Sequence, residues 1–195
     1  MGGRAVGSLQ AVTFRIEPAA GNFADLEDLF GSQGGWSGCW CMWNRQTNAE
    51  FQDNNYEPNR QALRAKLADG HEFGILAFEG DTAVGWAALA PRAEYSRLGR
   101  SPVTKPVDDI EVWSVTCFVV RRGHRGKGVA TALLAGAERR ARELGASVLE
   151  GYPVAPAGTM TDAEAWHGLE SMFRSAGFHE VARRKPSRPI YRKRL

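Results

Sequence analysis

The segment Val119-Val-Arg-Arg-Gly-His-Arg-Gly-Lys-Gly-Val-Ala-Thr131 constrains this chain more than any other. It reads as the end of an apolar strand, a turn with three glycines (Gly123, Gly126, Gly128) and four cations (Arg121, Arg122, Arg125, Lys127), and the start of a helix. Backbone N–H groups in a helix's first turn lack intrahelical partners and sit at the positive end of the dipole, so such a turn binds phosphate. An ordinary left-handed turn ahead of a helix needs only one glycine. A Walker loop is excluded because Gly128, not Ser or Thr, follows Lys127. A dinucleotide fingerprint fits less well. Thr131 stands where its third glycine belongs, and although Glu150 occupies the place of a ribose-binding acid, the 45 residues beyond it hold one helix and a hairpin, not further βαβ units.

The rest of the chain sets this turn in a mixed architecture. Ala11 to Glu17 alternates like a strand and stops at Pro18. Asn22 opens a helix through Phe23, Leu26, Leu29 and Phe30, and Gly31 ends it. After an irregular Gly- and Trp-rich connection, a second helix starts near Pro58 and stops at Gly70. Phe73 to Phe78 and Ala83 to Ala90 read as a hairpin, and a proline-containing loop, 91–109, leads to the apolar strand Val112 to Val120. Ala130, Leu133, Leu134, Ala137, Ala141 and Leu144 recur at helical spacing before Gly145. Ser147 to Tyr152 is a strand, Thr161 and Glu164 form a capping box for a helix through Met172, and His179 to Arg184 and Ile190 to Lys193 are final strands. The predicted order is βααβββαβαββ.

Composition narrows the class. Of 195 residues 43% are hydrophobic and 24% charged, which suits one α/β or α+β domain at 11–195 behind a flexible tail at 1–10. The longest apolar run, Ala83 to Ala90, is strand-length, so no membrane span is expected, and the opening residues have no apolar core of a signal peptide. Three cysteines (Cys39, Cys41, Cys117) without CxxC spacing favour a reduced, cytoplasmic protein whose thiols pack as small hydrophobes, with no metal. The formal charge of +3 is uneven. Seven basic and no acidic residues fall from Val181 to Leu195, while the first 180 residues carry 18 basic and 22 acidic side chains. A charged edge hairpin explains this tail better than a nucleic-acid contact, Tyr191 being the lone interleaved aromatic.

Arg125-Gly-Lys-Gly-Val-Ala130, its preceding strand and the element order together resemble the GNAT superfamily of N-acetyltransferases. The resemblance implies an α/β (α+β) fold with a mostly antiparallel sheet of about seven strands flanked by four helices. It implies acetyl-CoA as cosubstrate, with the amides of Gly126, Lys127, Gly128, Val129, Ala130 and Thr131 on the pyrophosphate. Phe118, Val119 and Val120 would meet the pantetheine arm where two strands splay, with Arg125 and Phe173 beside the cofactor. Trp40-Cys-Met-Trp43, Val112-Trp-Ser-Val-Thr-Cys-Phe118, Gly151-Tyr-Pro153 and Ser171-Met-Phe173 look like a bacterial subgroup without an assigned substrate.

Two positions depart from the family. Phe173 occupies the place of its usual Tyr acid, leaving Ser171 and Tyr152 as substitutes, and Val115 occupies the place of its usual Glu base. Counting by twos puts Glu111, Trp113, Val115 and Cys117 on one strand face, so Glu111 becomes the candidate base, with Asp108, Asp109 and Glu150 the other nearby carboxylates. Cys117 as an acetylated nucleophile ranks lower, since nothing near it in sequence lowers its pKa. By the resemblance the loop between the first two helices covers the acceptor, and Trp36, Trp40 and Trp43 in it serve equally as lid or core. With Trp113, Glu150 and the acids at 108–111 they would suit a cationic amine. The expected activity is direct acetyl transfer to a primary amine of a small molecule. An acyl-CoA sensor without turnover and a peptide or protein N-acetyltransferase are the alternatives, and the family's frequent homodimers make a dimer an open expectation.

Overall fold

A computed structural model describes residues 13–156 and 165–195. The tail at 1–10, the start of the first predicted strand at Ala11, and the capping pair Thr161 and Glu164 lie outside the described residues. Among the described residues seven strands make one sheet: β1 (Arg15–Pro18), β2 (Gly74–Glu79), β3 (Thr82–Pro91), β4 (Trp113–Val120), β5 (Val148–Gly151), β6 (His179–Arg183) and β7 (Pro189–Arg194). Their spatial order is β1-β2-β3-β4-β5-β7-β6, antiparallel throughout except for the parallel pair β4 and β5.

Among the described residues there are six α-helices, against four expected: α1 (Phe23–Phe30), α2 (Asn48–Asp53), α3 (Glu57–Ala68), α4 (Ser96–Arg100), α5 (Val129–Glu143) and α6 (Glu170–Ser175). The additional two are short. α2 rests on a capping box in which Thr47 Oγ1 accepts from the Glu50 amide at 3.2 Å and Glu50 Oε2 accepts from the Thr47 amide at 2.7 Å. α4 is a turn and a half inside the proline-containing loop. α6 begins at Glu170, after a separate 3-10 turn at Ala165–His167, so the helix expected from Thr161 is shorter than its spacing implied. Asn22 does not cap α1 through its side chain; its Nδ2 donates to the Pro18 carbonyl at 2.9 Å.

Both sheet faces are covered, which is why β3 is apolar at nearly every position. α5 packs one face with Leu133, Leu134 and Ala137 against Ile75, Val84 and Leu89. α1 and α3 cover the other, Leu26, Phe30, Leu63 and Leu67 meeting Leu76 and Trp86. A Cβ on Gly85 would stand 2.5 Å from Val129 Cγ1 and 3.0 Å from Leu133 Cδ1, so the glycine is what lets α5 lie this close to β3. The basic C-terminal hairpin is tied to the acidic body: Arg192 pairs with Glu150 and Asp108, Lys193 with Glu138, and Arg183 with Glu170 and Glu180.

One irregularity in β4 corrects the period-two count. Ala88 pairs with Cys117 and Leu89 with Val115, so Thr116 is bulged out of the ladder. Beyond it the faces exchange. Val115 and Phe118 join the α5 side, while Cys117 and Val119 pack with the α1 and α3 side.

Candidate active site

β4 and β5 pair only from Trp113 opposite Leu149 to Val115 opposite Gly151. Past that point no strand among the described residues pairs with β4 on its β5 side, so part of its backbone hydrogen-bonding capacity is left for other partners. The 3-10 turn takes up some of it, His167 Nδ1 lying 3.1 Å from the Thr116 carbonyl. Burial, followed by the charge of Arg188, pushes the His167 pKa well below 6.5, so the ring is neutral.

Beside this opening runs a cavity of about 850 Å³. One wall is Cys117 to Val120 of β4, and one end is the glycine turn with Val129, Ala130 and Thr131 of α5. Gly128 precedes α5 in the left-handed region, φ +86°, and no side chain caps the helix; its first turn holds no acidic residue. Among the described residues the amide donors there have no side-chain cap, and the positive end of the α5 dipole lies at the cavity end, which fits a phosphate-bearing ligand. His124 lines this end with Nε2 2.9 Å from Glu79 Oε2, and Arg121 is anchored away by Asp28 at 2.6 Å.

The other end is formed by the Trp loop. Gly34 to Ser37, Cys39, Cys41, Trp43 and Asn44 line it, together with Phe30 and Phe51. Its shape depends on left-handed backbone at Ser37, Trp40 and Cys41 as well as at Gly34, Gly35 and Gly38. All three cysteines of the chain reach the cavity. Burial and then Cys41 push the Cys39 thiol up to about 12, and the Cys41 hydrogen bond and burial raise that of Cys117, so both are protonated at neutral pH. Among the described residues no group of three or more His, Cys, Asp or Glu side chains is arranged to hold a metal ion.

The residues singled out from the sequence divide sharply. Phe118, Val119, Val120, Arg125, Gly126, Gly128, Val129, Ala130 and Thr131 line the cavity, as do Trp36 and Trp43. Lys127 is exposed beside it. Phe173 is buried, its ring edge-on to Phe118 and Phe178 and filling space left by Gly151 and Gly168. Trp40 is 5% exposed, stacked on Phe23 and tilted against Phe30, and Trp113 packs with the α5-side core; neither lines the cavity. Glu111 is exposed ahead of β4 and Ser171 is exposed on α6, both outside the lining.

Tyr152 and Glu150, each 1% exposed, belong to a separate buried network. The Tyr152 hydroxyl donates to Glu150 Oε1 at 2.5 Å, accepts from Arg92 Nη1 at 2.6 Å, and lies 2.8 Å from Ser114 Oγ. Arg92 and Arg192 pair with Glu150 at 2.8 and 2.6 Å, and Arg192 continues to Asp108. Burial, then the charge of Glu150, raises the Tyr152 pKa well above 10. The acids expected around a cationic acceptor are thus committed to arginines or to solvent. Unforeseen lining residues are Cys39, Cys41, Ser37, Asn44, Phe51 and Trp166. Phe51 was within reach of sequence reasoning through the Thr47-x-x-Glu50 cap, which announces the helix that carries it.

The acetyltransferase (GNAT) family model matches residues 36–155, well over half the chain. The chain belongs to the GNAT acetyltransferase family. As a GNAT protein it is an N-acetyltransferase of unassigned substrate, and acetyl-CoA is the family's acetyl donor. Solved structures share the fold across nearly the whole GNAT chain. A ribosomal-protein-alanine N-acetyltransferase from Brucella melitensis is 21% identical with TM-score 0.52, covering 93% of this chain and 99% of its own. The PaiA N-acetyltransferase from Thermoplasma acidophilum, in complex with coenzyme A, is 14% identical with TM-score 0.54 over 94% and 99%. A GNAT acetyltransferase from Streptococcus agalactiae is 12% identical with TM-score 0.55 over 96% and 99%. No curated protein matches the GNAT chain.

Proposed function

We propose that the protein transfers the acetyl group of acetyl-CoA directly to a small-molecule amine within a ternary complex. The observation that carries this reading is one continuous cavity joining the uncapped N-terminus of α5 to the Trp loop along the open stretch of β4. The cosubstrate supplies an activated acetyl thioester. Gly126, Gly128 and the first turn of α5 bind its pyrophosphate through backbone amides, and the PaiA structure of the same fold, in complex with coenzyme A, supports coenzyme A as the ligand. The unpaired edge of β4 from Phe118 to Val120 aligns the pantetheine arm. The bulge at Thr116 marks the turn-off point where backbone donors can meet the developing oxyanion. A thiol of ordinary pKa, about 8.5, leaves tolerably as thiolate near neutral pH, so a dedicated acid is dispensable.

Calorimetry with acetyl-CoA and thiol release across an amine panel test the reading. Micromolar binding with turnover of at least one amine is expected; absence of binding overturns it. A second reading, an acyl-CoA sensor without turnover, draws on the engagement of Tyr152 and Glu150 with arginines away from the cavity. Binding without thiol release from any amine or peptide N-terminus would select it.

A further inference from the structure

The two ends of the cavity differ in chemistry. The glycine turn offers backbone donors with His124 and Arg125, whereas the rings of Phe30, Trp36, Trp43 and Phe51 line the Trp-loop end with the three thiols. Ser37 and Asn44 are its polar side chains, and both are uncharged. Trp36 is 72% exposed, an unusual state for an indole that borders a cavity. Trp43 is held in place. Phe51 meets it edge-on with centroids 4.9 Å apart and planes at 88°, and the Arg97 guanidinium lies 3.7 Å from its ring centroid. Arg97 in turn is anchored by neutral oxygens, Nε donating to the Trp43 carbonyl at 2.6 Å and Nη1 to Asn48 Oδ1 at 2.5 Å.

A cation therefore already occupies one face of Trp43, so part of the ring's attraction for positive charge is already engaged. An alkylammonium entering this end meets a like charge, and the Cys39 and Cys117 thiols, which hold their protons, supply no counter-charge. A neutral flat molecule instead meets indole and phenyl faces and polarizable sulfur.

Building on the acetyl-transfer reading, we propose that the acceptor is an aromatic amine whose nitrogen is conjugated to its ring and uncharged at pH 7, held against Trp36 and Trp43. The acceptor's neutrality also answers the question of the base. An alkylamine with a pKa near that of Lys, about 10.4, is neutral in roughly one molecule in 2,500 at pH 7 and needs a group to take its proton. An arylamine arrives deprotonated, and among the described residues no carboxylate lines the cavity. In the transfer the N–C bond forms between the aryl nitrogen and the acetyl carbonyl carbon as the carbon–sulfur bond breaks. The nitrogen's surplus proton ends on the departing sulfur, so the products are a neutral arylamide and a free thiol.

The test measures thiol release by the full chain with acetyl-CoA and three acceptor sets: substituted anilines, cyclohexylamines matched in size, and linear polyamines. At pH 7 the anilines should exceed the cyclohexylamines in kcat/KM by about tenfold or more, and this ratio should fall by about tenfold per pH unit as the alkylamines deprotonate. Enzyme titrations cancel in the ratio. Trp36→Ala, at an exposed position, should raise KM for anilines about fivefold with acetyl-CoA affinity unchanged. Preference for cyclohexylamines or polyamines overturns the proposal. If acetyl-CoA binds but no amine turns over, the transfer reading fails separately. Calorimetric titration of aniline into the coenzyme A complex then still decides the aromatic site: binding that Trp36→Ala weakens sustains it, and no binding overturns it.

Discussion

The sulfur atoms of Cys41 and Cys117 lie 3.8 Å apart although 76 residues separate them. The contact fastens the Trp loop to β4 in the middle of the cavity wall, and the Trp86 indole N–H donates to Cys41 Sγ at 3.0 Å from the sheet behind. These two thiols act as packing between the loop and the strand. Cys39, with its pKa pushed up to about 12, should alkylate on the order of a thousandfold more slowly at pH 7 than a free cysteine of pKa about 8.5. Iodoacetamide labelling followed by mass spectrometry checks this. The rate should climb as pH rises, and coenzyme A should slow it further by filling the cavity. Rapid labelling at pH 7 would show the loop to be open.

Gly128 is where sequence and chemistry meet most directly. Its φ of +86° is left-handed, and a Cβ there would touch nothing within 4 Å, so the objection to a side chain is conformational. Gly128→Ala should cost about 1–2 kcal/mol of stability by urea unfolding and leave part of the acetyl-CoA affinity. Gly128→Glu adds a negative charge at the positive end of α5, where the proposed phosphate site lies, and should lower affinity by about a hundredfold or more in calorimetry. Equal affinities for the two variants would count against phosphate binding at this turn.

Local pattern made the strands and the long helix readable because their signals are local. β3 is apolar at nearly every position since helices cover both faces, and α5 shows a helical stripe ending before Gly145. The bulge at Thr116 was not readable, because it exists only in the register between β3 and β4. That one residue moves Cys117 to the opposite face from Val115 and into the cavity wall. The Trp loop was equally opaque. Ser37, Trp40 and Cys41 adopt left-handed backbone, at φ of 47°, 45° and 57°, which no residue preference would assign. These turns bury Trp40 and send Trp36 and Trp43 to the cavity. The pairing of Glu150 with Arg92 and Arg192 joins three distant stretches, so spacing cannot show that the acid is already engaged.

That network supplies a test separating structure from catalysis. Glu150 is buried between two guanidinium groups, and Glu150→Gln should destabilise the fold by about 3 kcal/mol by taking the carboxylate from Arg92 and leaving Arg192 with Asp108 alone. Tyr152→Phe removes the hydroxyl shared by Glu150, Arg92 and Ser114 and should cost about 1–3 kcal/mol. Folded Tyr152→Phe should retain acetyl-CoA affinity and most of its turnover. Loss of turnover at unchanged stability would instead identify Tyr152 as the acid for the departing thiolate.

His167 supplies the clearest pH dependence. Its folded pKa lies well below 6.5, so between that value and 6.5 the unfolded chain binds a proton that the folded chain refuses. Stability from this group is therefore fully present above pH 6.5 and is lost as pH falls toward the folded pKa. The slope is at most about 1.4 kcal/mol per pH unit for one proton. The Nδ1 contact with the carbonyl of Thr116, the bulged residue of β4, favours the protonated ring, and burial with the charge of Arg188 outweighs it. Urea unfolding from pH 7.5 to pH 5 measures the effect. His167→Asn, which preserves a donor toward that carbonyl and cannot titrate, should flatten the slope between pH 6.5 and pH 5. An unchanged slope in the variant would assign the acid sensitivity elsewhere.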